Sequence, residues 1–437
     1  MEELQLHELH IRPEQQGTYF LLPFNMPEGM QRLNLRYDYA RYDQNEIALP
    51  AGAYATREEI NIIDLGLIAP DGTQVGASGS DKTAVTVSAT DATPGYQPHE
   101  LTPGQWNILV GAYKVHPDGV IVRYEVDLTG KQPRWLRGDL HAHTLASDGV
   151  HTAEELAWRA LRHGLDFLAI TDHNQMAAQS ALPRVPGVTL IPGVEWTHYQ
   201  GHANFLGVDQ PYEGSFMANT PEEIRAKFVS ARERGALITI NHPYEECCHF
   251  LIDRASIPFD CLEIWNGPMR ESNLKAVGLW QSLLAAGQKI PAVGGSDFHR
   301  DTPFLFLGGP TTCVYAESAG AGDILAALKA GHACITFAPN GPWLDLRSGE
   351  AMMGDSVQWS PDSEINLRAG GLLTGDVVRV VSAAGAEAVA QSPANGELNI
   401  TLPARAAGFA RVEVLRAFLP GLPLLPAVLS NPIYFDA

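Results

Sequence analysis

The stretch RGDLHAHTLASDGVHT, residues 137–152, sets two histidines one residue apart and places an aspartate five residues after the second. Imidazole and carboxylate groups are common ligands of divalent metal ions, so His141, His143 and Asp148 are candidate ligands. Side chains alternate between the two faces of a strand, so both histidines reach one ion only if the strand opens into a loop here. A His-x-His pair alone is weak evidence, and the rest of the chain must supply the partners.

The segment that follows this stretch predicts a helix and then a strand. Thr152 and Glu155 form a capping-box pattern, the amphipathic segment 153–163 follows, and Gly164 lies where a left-handed residue ends a helix. The same pattern recurs over residues 220–235 before the apolar run ALITI. Short apolar strands alternating with helices between about 136 and 335 predict an α/β domain with parallel strands.

The flanking regions have a different pattern. Residues 3–130 contain short β-prone runs, and the dipeptides Asp71-Gly72 and Asp118-Gly119 predict tight hairpins between them. Short strands with glycine-rich turns return from about residue 336. We therefore expect an N-terminal β-sandwich-like domain over 1–133, an α/β domain over 134–335 that carries the candidate ligands, and a small C-terminal β-domain over 336–437.

Polar residues follow the predicted strands of the middle region, at the points where the strands end. These residues are His141, His143, Asp172, His173, Glu195, His242, Asp297 and His299. Parallel strands in a barrel share one direction, so their carboxyl ends meet on one face, where barrel enzymes place their chemistry. The sequence therefore predicts one metal site at this face.

The chain resembles the PHP (polymerase and histidinol phosphatase) metal-dependent phosphoesterases over roughly residues 137–315. The resemblance rests on the segments DLHAHTLASDG, LAITDHN, GVEWT with GHANFLG, NHP and GGSDFH, in that order. It implies a distorted, TIM-like (β/α)7 barrel with a multinuclear metal site. The flanks, including CITFAPNGPWLDL and SNPIYFDA, look more like the carbaryl-hydrolase-like (CehA/McbA) branch than like the short histidinol phosphatases.

The same resemblance implies which residues bind two or three divalent ions of zinc, manganese or iron. His141, His143, Glu195 and Asp297 would hold one ion, Glu195 would bridge to a second ion held by His202 and His242, and Asp148, His173 and His299 would hold a third. His202 is preferred to His198 as a ligand because GHANFLG looks like the family's own segment.

The implied activity is hydrolysis of phosphate mono- or diesters of a small molecule by a metal-bridging hydroxide. Asp297 is the candidate acceptor of the water's proton. His202 or His299 would protonate the leaving group only if it is not fully committed to metal. Arg300 is either a phosphate clamp or a solvated surface group. Carboxyl ester or carbamate hydrolysis at the same site is the alternative activity, and a ligand-binding protein with a structural metal site is the alternative class.

The sequence leaves open the roles of several polar residues next to the candidate ligands. Asp172 either orients a ligand imidazole or caps a helix. Asn241, Asn266 and Tyr244 are expected near the mouth of the domain.

Composition limits the partners. The net charge of −20 in 437 residues disfavours long polyanions and anionic membranes but permits a small anionic substrate, because a metal cluster makes one pocket positive. The chain has no long apolar run and no signal-peptide pattern, so we expect a cytoplasmic protein.

Its five cysteines, without CxxC spacing, fit reduced thiols. Adjacent Cys247 and Cys248 are more simply ordinary buried or surface residues than metal ligands, and the oligomeric state is left open.

Overall fold

The computed structural model describes residues 2–43 and 58–437 of the chain. It divides into two compact units, Met1–Gln132 and Pro133–Ala437. None of the described helices is long and apolar enough to cross a membrane.

The first unit consists of two four-stranded antiparallel sheets. Its strands are β1 Glu2–Ile11, β2 Thr18–Met26, β3 Met30–Asp38, β4 Ile62–Ile68, β5 Gln74–Ser78, β6 Ala84–Ser88, β7 Gly104–Lys114 and β8 Val120–Gly130. One sheet has the order β1-β8-β3-β6 and the other β2-β7-β4-β5. Side chains from both sheets, such as Leu33 and Ile108, belong to one buried cluster. Each sheet buries one face, which explains the alternating pattern of its strands.

The two predicted turns of this unit have different outcomes. Asp71-Gly72 connects β4 to β5, which pair in antiparallel fashion, so that hairpin is confirmed. The hairpin at Asp118-Gly119 is wrong, because β7 and β8 belong to different sheets. Gly119 does have the positive φ of a turn residue, at 79°. A turn motif fixes only the local change of direction, whereas burial of the two apolar faces decides which strands pair.

The second unit combines helices with mixed sheets. Its helices are α1 Ala153–His163, α2 Pro221–Glu233, α3 Glu271–Ala285 and α4 Ala321–Ala330. The strands of its first part are β9 Arg134–Asp139, β10 Phe167–Ala169, β11 Thr189–Ile191, β12 Gly193–His198, β13 Gly201–Leu206, β14 Leu237–Ile240, β15 Cys261–Asn266, β16 Ala292–Gly295, β17 Thr311–Ala316 and β18 Ala333–Thr336. The later strands are β19 Trp343–Ser348, β20 Ala351–Met352, β21 Ser356–Gln358, β22 Glu364–Leu372, β23 Val377–Ser382, β24 Gly385–Gln391, β25 Gly396–Pro403, β26 Gly408–Arg416, β27 Leu425–Ser430 and β28 Ile433–Asp436.

Two sets of strands surround the site. Strands β9, β10 and β11 are parallel neighbours, as are β14, β15 and β16, whereas β13 is antiparallel to both β12 and β14. Parallel bridges between Ala142 and Phe298 and between His173 and Glu195 connect the two sets. The expectation of a mixed α/β fold is confirmed at this level, with many strands and few helices.

The helix signals of the sequence are confirmed. Thr152 caps α1 through a capping box with Glu155, and Gly164 adopts the left-handed conformation at the end of the helix. Thr220 caps α2 in the same way. The apolar side of α1 contributes buried Leu156 to the core. The capping residues and the apolar side of the segment therefore indicate the same helix.

The C-terminal strands share a sheet with the middle region. An eleven-stranded sheet runs β11-β10-β9-β17-β18-β27-β26-β23-β24, with β21 and β28 attached. Buried Asn431 accepts a hydrogen bond from the Ala292 N–H at 2.7 Å and donates to the carbonyl oxygens of Ala292 and Ala333. A boundary after residue 335 stays a prediction, since residues on both sides of it belong to one compact unit.

Candidate metal centre

Five of the candidate ligands, His141, His143, His242, Asp297 and His299, come shortly after the carboxyl ends of strands. His141 and His143 follow the end of β9, so the loop opening that lets both reach one ion is present. His173 follows β10, His242 follows β14, and Asp297 and His299 follow β16, while Glu195 and His202 are on the paired strands β12 and β13. Strand direction therefore collects residues that are far apart in the chain.

Glu195 lies at the centre of the cluster and is fully buried. Its Oε1 lies 3.3 Å from His141 Nε2, 3.1 Å from His202 Nδ1 and 3.2 Å from His242 Nε2. Its Oε2 lies 2.7 Å from His173 Nδ1. One carboxylate is thus surrounded by imidazoles from several strands.

Asp297 and Asp148 extend the cluster toward the loops. Asp297 Oδ1 lies 3.0 Å from His143 Nε2 and 3.6 Å from His299 Nδ1. Asp148 Oδ1 lies 3.1 Å from His299 Nε2 and 3.7 Å from His173 Nε2. The loop that carries Asp148 therefore folds back over the strand ends, and the structure brings all the candidate ligands together.

The donor atoms fit divalent ions. Several buried atoms make no hydrogen bond of good geometry despite these short separations: His141 Nε2, both ring nitrogens of His143, Glu195 Oε2 and Asp297 Oδ1. Unpaired buried polar atoms are costly, so such a concentration calls for another binding partner. Two nitrogen or oxygen ligands of one tetrahedral zinc ion lie about 3.3 Å apart, given metal–ligand distances of about 2.0–2.1 Å. The separations between ligand atoms around Glu195 have this size.

Backbone strain is concentrated at the same place. The described non-glycine residues with positive φ are Asn174 at 52°, His242 at 24° and Asp297 at 53°. Non-glycine residues rarely adopt such angles, which persist only where the surrounding structure enforces them and which cluster at functional sites. At His242 and Asp297, the strain lies at the candidate ligands themselves.

Burial and charge act in opposite directions on the ionisable groups. Burial would raise the pKa of Glu195 and Asp297, but the neighbouring His141 holds the pKa of both carboxyl groups well below the usual value. Burial opposes charging of His141, yet Asp297 and Glu195 raise its pKa well above 6.5. For His143, burial dominates and lowers the pKa. The carboxylates are therefore ionised, and a metal ion must displace the proton of His141.

Glu263 is a site residue that the sequence analysis missed. It is buried, and its Oε1 lies 3.0 Å from His141 Nδ1. Its Oε2 accepts hydrogen bonds from the His242 N–H at 2.9 Å and from Asn266 Nδ2 at 3.2 Å. A carboxylate on the second nitrogen of a ligand imidazole fixes its tautomer and orientation. The available signal was an acidic residue inside the otherwise apolar strand CLEIW.

Asp139 was also missed and joins two strand ends. It is fully buried and accepts hydrogen bonds from the backbone N–H groups of Ser296, at 2.9 Å, and Gly308, at 2.8 Å, and from the Ser296 hydroxyl. Burial raises the pKa of Asp139 to about 6. This carboxyl group holds the end of β9 beside the segment that carries Asp297.

The neighbouring polar residues have specific roles in the structure. Asp172 caps none of the described helices; it accepts hydrogen bonds from Thr144 and from the Ser147 hydroxyl, and so fixes the loop that leads to Asp148. Asn241 donates from Nδ2 to Glu195 Oε1 at 2.9 Å. As expected, Asn241 lies at the site.

The last two candidate residues are His198 and Arg300. His198 points away from Glu195 and its Nε2 lies 3.0 Å from the carbonyl oxygen of Ala218, which supports the choice of His202. Arg300 follows His299 with an exposed side chain. Its assignment as a phosphate clamp stays a prediction.

Comparison with known proteins gives partial matches. No protein-family model matches the chain. The chain is similar to the 5'-3' exoribonuclease Rnm of Salmonella typhimurium, at 34% identity over 150 residues, which make up 32% of this chain and 44% of that protein. It is also similar to the 3',5'-nucleoside bisphosphate phosphatase of Chromobacterium violaceum, at 32% identity over 105 residues, or 22% of this chain and 36% of that protein. The chain spans less than half the length of these relatives.

Solved structures give a loose likeness. A two-domain protein from Bacteroides vulgatus, described as containing a predicted PHP-like metal-dependent phosphoesterase, aligns with a TM-score of 0.40 and 15% identity over 70% of this chain and 96% of its own. A putative metal-dependent phosphoesterase from Bifidobacterium adolescentis aligns with a TM-score of 0.27 and 16% identity over 39% of this chain and 90% of its own. The two relatives found by sequence are named as an exoribonuclease and a bisphosphate phosphatase, while placement in the carbaryl-hydrolase-like branch stays a prediction.

Proposed function

We propose that the chain is a metal-dependent hydrolase that cleaves phosphate mono- or diesters of a small molecule, at the mouth of a distorted (β/α)7 barrel. The observation that carries this proposal is the set of buried, unpartnered imidazole and carboxylate atoms around Glu195. A protein that used these histidines only for packing would satisfy their nitrogens with hydrogen bonds.

In the proposed site, two or three divalent ions of zinc, manganese or iron are held by His141, His143, Asp148, His173, Glu195, His202, His242, Asp297 and His299. When bound, they supply electrostatic stabilisation of the phosphoryl oxygens and a water of lowered pKa. Several divalent ions outweigh the charge of the three carboxylates, which gives an acidic chain a positive pocket for phosphate.

Asp297 is the proposed proton acceptor. Its Oδ1 faces His141 and His143, whereas its Oδ2 lies 3.4 Å from Asn266 Nδ2, a weak contact that orients the carboxylate. The Asp297 carboxyl group is ionised, since its pKa lies well below 3.8: burial raises it, but the charge of His141 outweighs that effect. An ionised carboxylate has lone pairs that can accept the proton of the attacking water, which is the role proposed for Asp297.

Proton donation to the leaving group is proposed for His299 in the form of the site that holds two ions, in which this histidine is not a metal ligand. Its Nδ1 lies 2.9 Å from the backbone carbonyl oxygen of Asp297, which fixes the ring, and its Nε2 faces Asp148. About a quarter of its side chain is exposed, as is that of His173, so a substrate can reach it. His202 remains the alternative donor.

The proposed substrate is a small anionic molecule. The relative that acts on nucleoside bisphosphates supports a nucleotide-sized phosphate ester, and the net charge of −20 disfavours a long polyanion. A cytoplasmic location is proposed with it, in keeping with the free cysteines of the described residues.

Substrate assays with defined metals test this function. Protein loaded with manganese or zinc is assayed against an aryl phosphate, a bis-aryl phosphate, an aryl carboxyl ester and a short single-stranded RNA. We expect turnover of the phosphate esters, abolished in His141→Ala and retained in the control His332→Ala, whose half-buried ring pairs with Asp355 and is not a candidate ligand.

Each of the other possible outcomes favours one of the alternative functions. Activity confined to the carboxyl ester indicates the esterase or carbamate hydrolase alternative. Faster cleavage of RNA than of small phosphate esters contradicts the small-molecule assignment. A folded, metal-loaded protein without turnover of any of these substrates favours the ligand-binding class with a structural metal site.

A further inference from the structure

A cysteine contacts the outer ring nitrogen of one candidate ligand, His242. Cys248 Sγ lies 3.7 Å from His242 Nδ1 in a hydrogen-bond contact. The other ring nitrogen, Nε2, lies 3.2 Å from Glu195 Oε1 and is the nitrogen that faces the proposed metal site. Among the residues that the structure describes, the sulfur of Cys248 is the hydrogen-bond partner of Nδ1. A thiol therefore lies directly behind the ligand ring.

The loop that follows β14 is held in the shape that places this thiol. The Glu245 N–H donates to the His242 carbonyl oxygen at 3.0 Å, and the Cys248 N–H donates to the Glu245 carbonyl oxygen at 3.2 Å. The Glu245 carboxylate is fixed in turn at the start of α3: its Oε2 lies 2.8 Å from Arg270 Nη2 and accepts the Ser272 hydroxyl at 3.2 Å. These contacts hold the backbone of Cys248 beside the ring of His242.

Metal binding decides which nitrogen of His242 carries the proton. An imidazole binds an ion through an unprotonated nitrogen, so the proton lies on Nδ1 when Nε2 is the ligand atom. The His242 side chain is only 3% exposed, and a buried N–H group without an acceptor is costly. Sulfur is a weak acceptor, but it is the acceptor that the loop supplies at this nitrogen.

We propose that Cys248 is a positioning residue of the metal centre: its sulfur accepts the Nδ1–H of His242 and so fixes the orientation in which Nε2 meets an ion. The inference rests on the proposed function only in that His242 binds metal through Nε2. It gives His242 the kind of partner that Glu263 provides for His141, where Oε1 lies 3.0 Å from Nδ1. Cys248 itself does not bind the ion in this arrangement.

Two exchanges at Cys248 separate the hydrogen bond from packing. Serine keeps an acceptor in a smaller side chain, whereas valine fills the space and accepts nothing. We expect Cys248→Ser to bind zinc within about threefold of the wild type and Cys248→Val to bind it about tenfold more weakly, as when a ligand imidazole loses its outer partner. A side chain that only packs would give the reverse order.

Zinc affinity by chelator competition measures the effect on protein kept reduced with a phosphine, and circular dichroism checks folding. The matched control is Cys247→Val, the same exchange at the exposed neighbouring cysteine. We expect the control to bind zinc within about twofold of the wild type, as is usual for a surface exchange. Should Cys248→Val fail to fold, Cys248→Ala replaces it, with the same expected loss.

The outcomes separate this inference from the proposed function. Equal zinc affinities of Cys248→Ser and Cys248→Val, or an equal loss in Cys247→Val, overturn the positioning role and leave the proposed hydrolase intact. A zinc–sulfur shell at about 2.3 Å in X-ray absorption that is lost in Cys248→Ser also overturns it, because the thiol is then a ligand. A wild-type protein that binds no divalent ion overturns both. The expected affinities without turnover of any phosphate ester contradict the hydrolase alone.

Discussion

Exchanging Glu263 for glutamine changes one buried charge without changing shape, and it tests how the structure orients His141. Glu263 Oε2 accepts two hydrogen bonds, from the His242 N–H and from Asn266 Nδ2. In Glu263→Gln, the amide oxygen therefore keeps that position, and the NH2 group takes the place of Oε1, 3.0 Å from His141 Nδ1.

The amide then reverses the tautomer of His141. An NH2 group only donates, so Nδ1 must accept and the ring proton moves to Nε2. His141 Nε2 is the nitrogen that faces Glu195 and Asp297, at 3.3 and 3.4 Å, and a protonated nitrogen binds no metal. Removing such a partner typically weakens metal binding about 10- to 100-fold, which corresponds to about 1.4–2.7 kcal/mol.

Zinc affinity by chelator competition and folding by circular dichroism measure the effect. The control is Glu271→Gln, the same exchange at an exposed position that pairs with Lys275 on α3; we expect a change in stability within about 0.5 kcal/mol and unchanged zinc affinity. The reasoning is refuted if folded Glu263→Gln binds zinc within about twofold of the wild type.

Four further predictions concern the site and its surroundings. His202→Ala should release part of the bound metal, whereas His198→Ala, which loses the contact with the Ala218 carbonyl oxygen, the hydrogen bond from the Gln200 N–H and the stacking on Trp196, should keep it; equal metal contents by plasma mass spectrometry would contradict the assignment. Removal of metal by a chelator should lower Tm and abolish activity, and adding zinc or manganese should restore both, because unpaired buried ligands are costly. In metal-free protein, Asp139→Asn should flatten the pH dependence of the unfolding free energy between about pH 4 and 6. Burial raises the pKa of the wild-type carboxyl from 3.8 to about 6, so its contribution is fully present below pH 3.8 and is lost as pH rises through about 6; parallel urea-denaturation profiles would refute this. Thr152→Ala should lower stability by about 1 kcal/mol, because the side chain that accepts the Glu155 N–H is lost; thermal unfolding measures it, and an unchanged Tm would show that the cap contributes nothing.

Much of the local structure follows from the sequence, because it depends on short-range chemistry. The capping pairs that begin α1 and α2 and the left-handed Gly164 appear as expected. Strand β9 ends at Asp139, before His141, as the His-x-His argument required. The apolar runs after these helices are strands because their side chains are buried on both faces.

Pairing between distant segments was not readable from local patterns. The Asp118-Gly119 turn was predicted as a hairpin, but it connects two sheets, because the shared core decides which strands pair. Glu263 resembled a chance polar residue in an apolar strand, and Asp139 resembled one more charged residue at the end of the polar strand RWLRGD, since their partners lie far away in the chain. Glu263 bonds His141 across 122 residues, and Asp139 bonds Ser296 across 157.

The sequence by itself determined which residue types stand at the strand ends, since residue type, spacing and strand direction are local properties of the chain. Only the tertiary structure decided which nitrogen of each imidazole faces which carboxylate, and that the Cys248 thiol lies beside His242. The physical reason is that metal binding depends on separations of a few ångströms between atoms of different strands. Those separations are fixed by how the strands pack, and no single segment contains them.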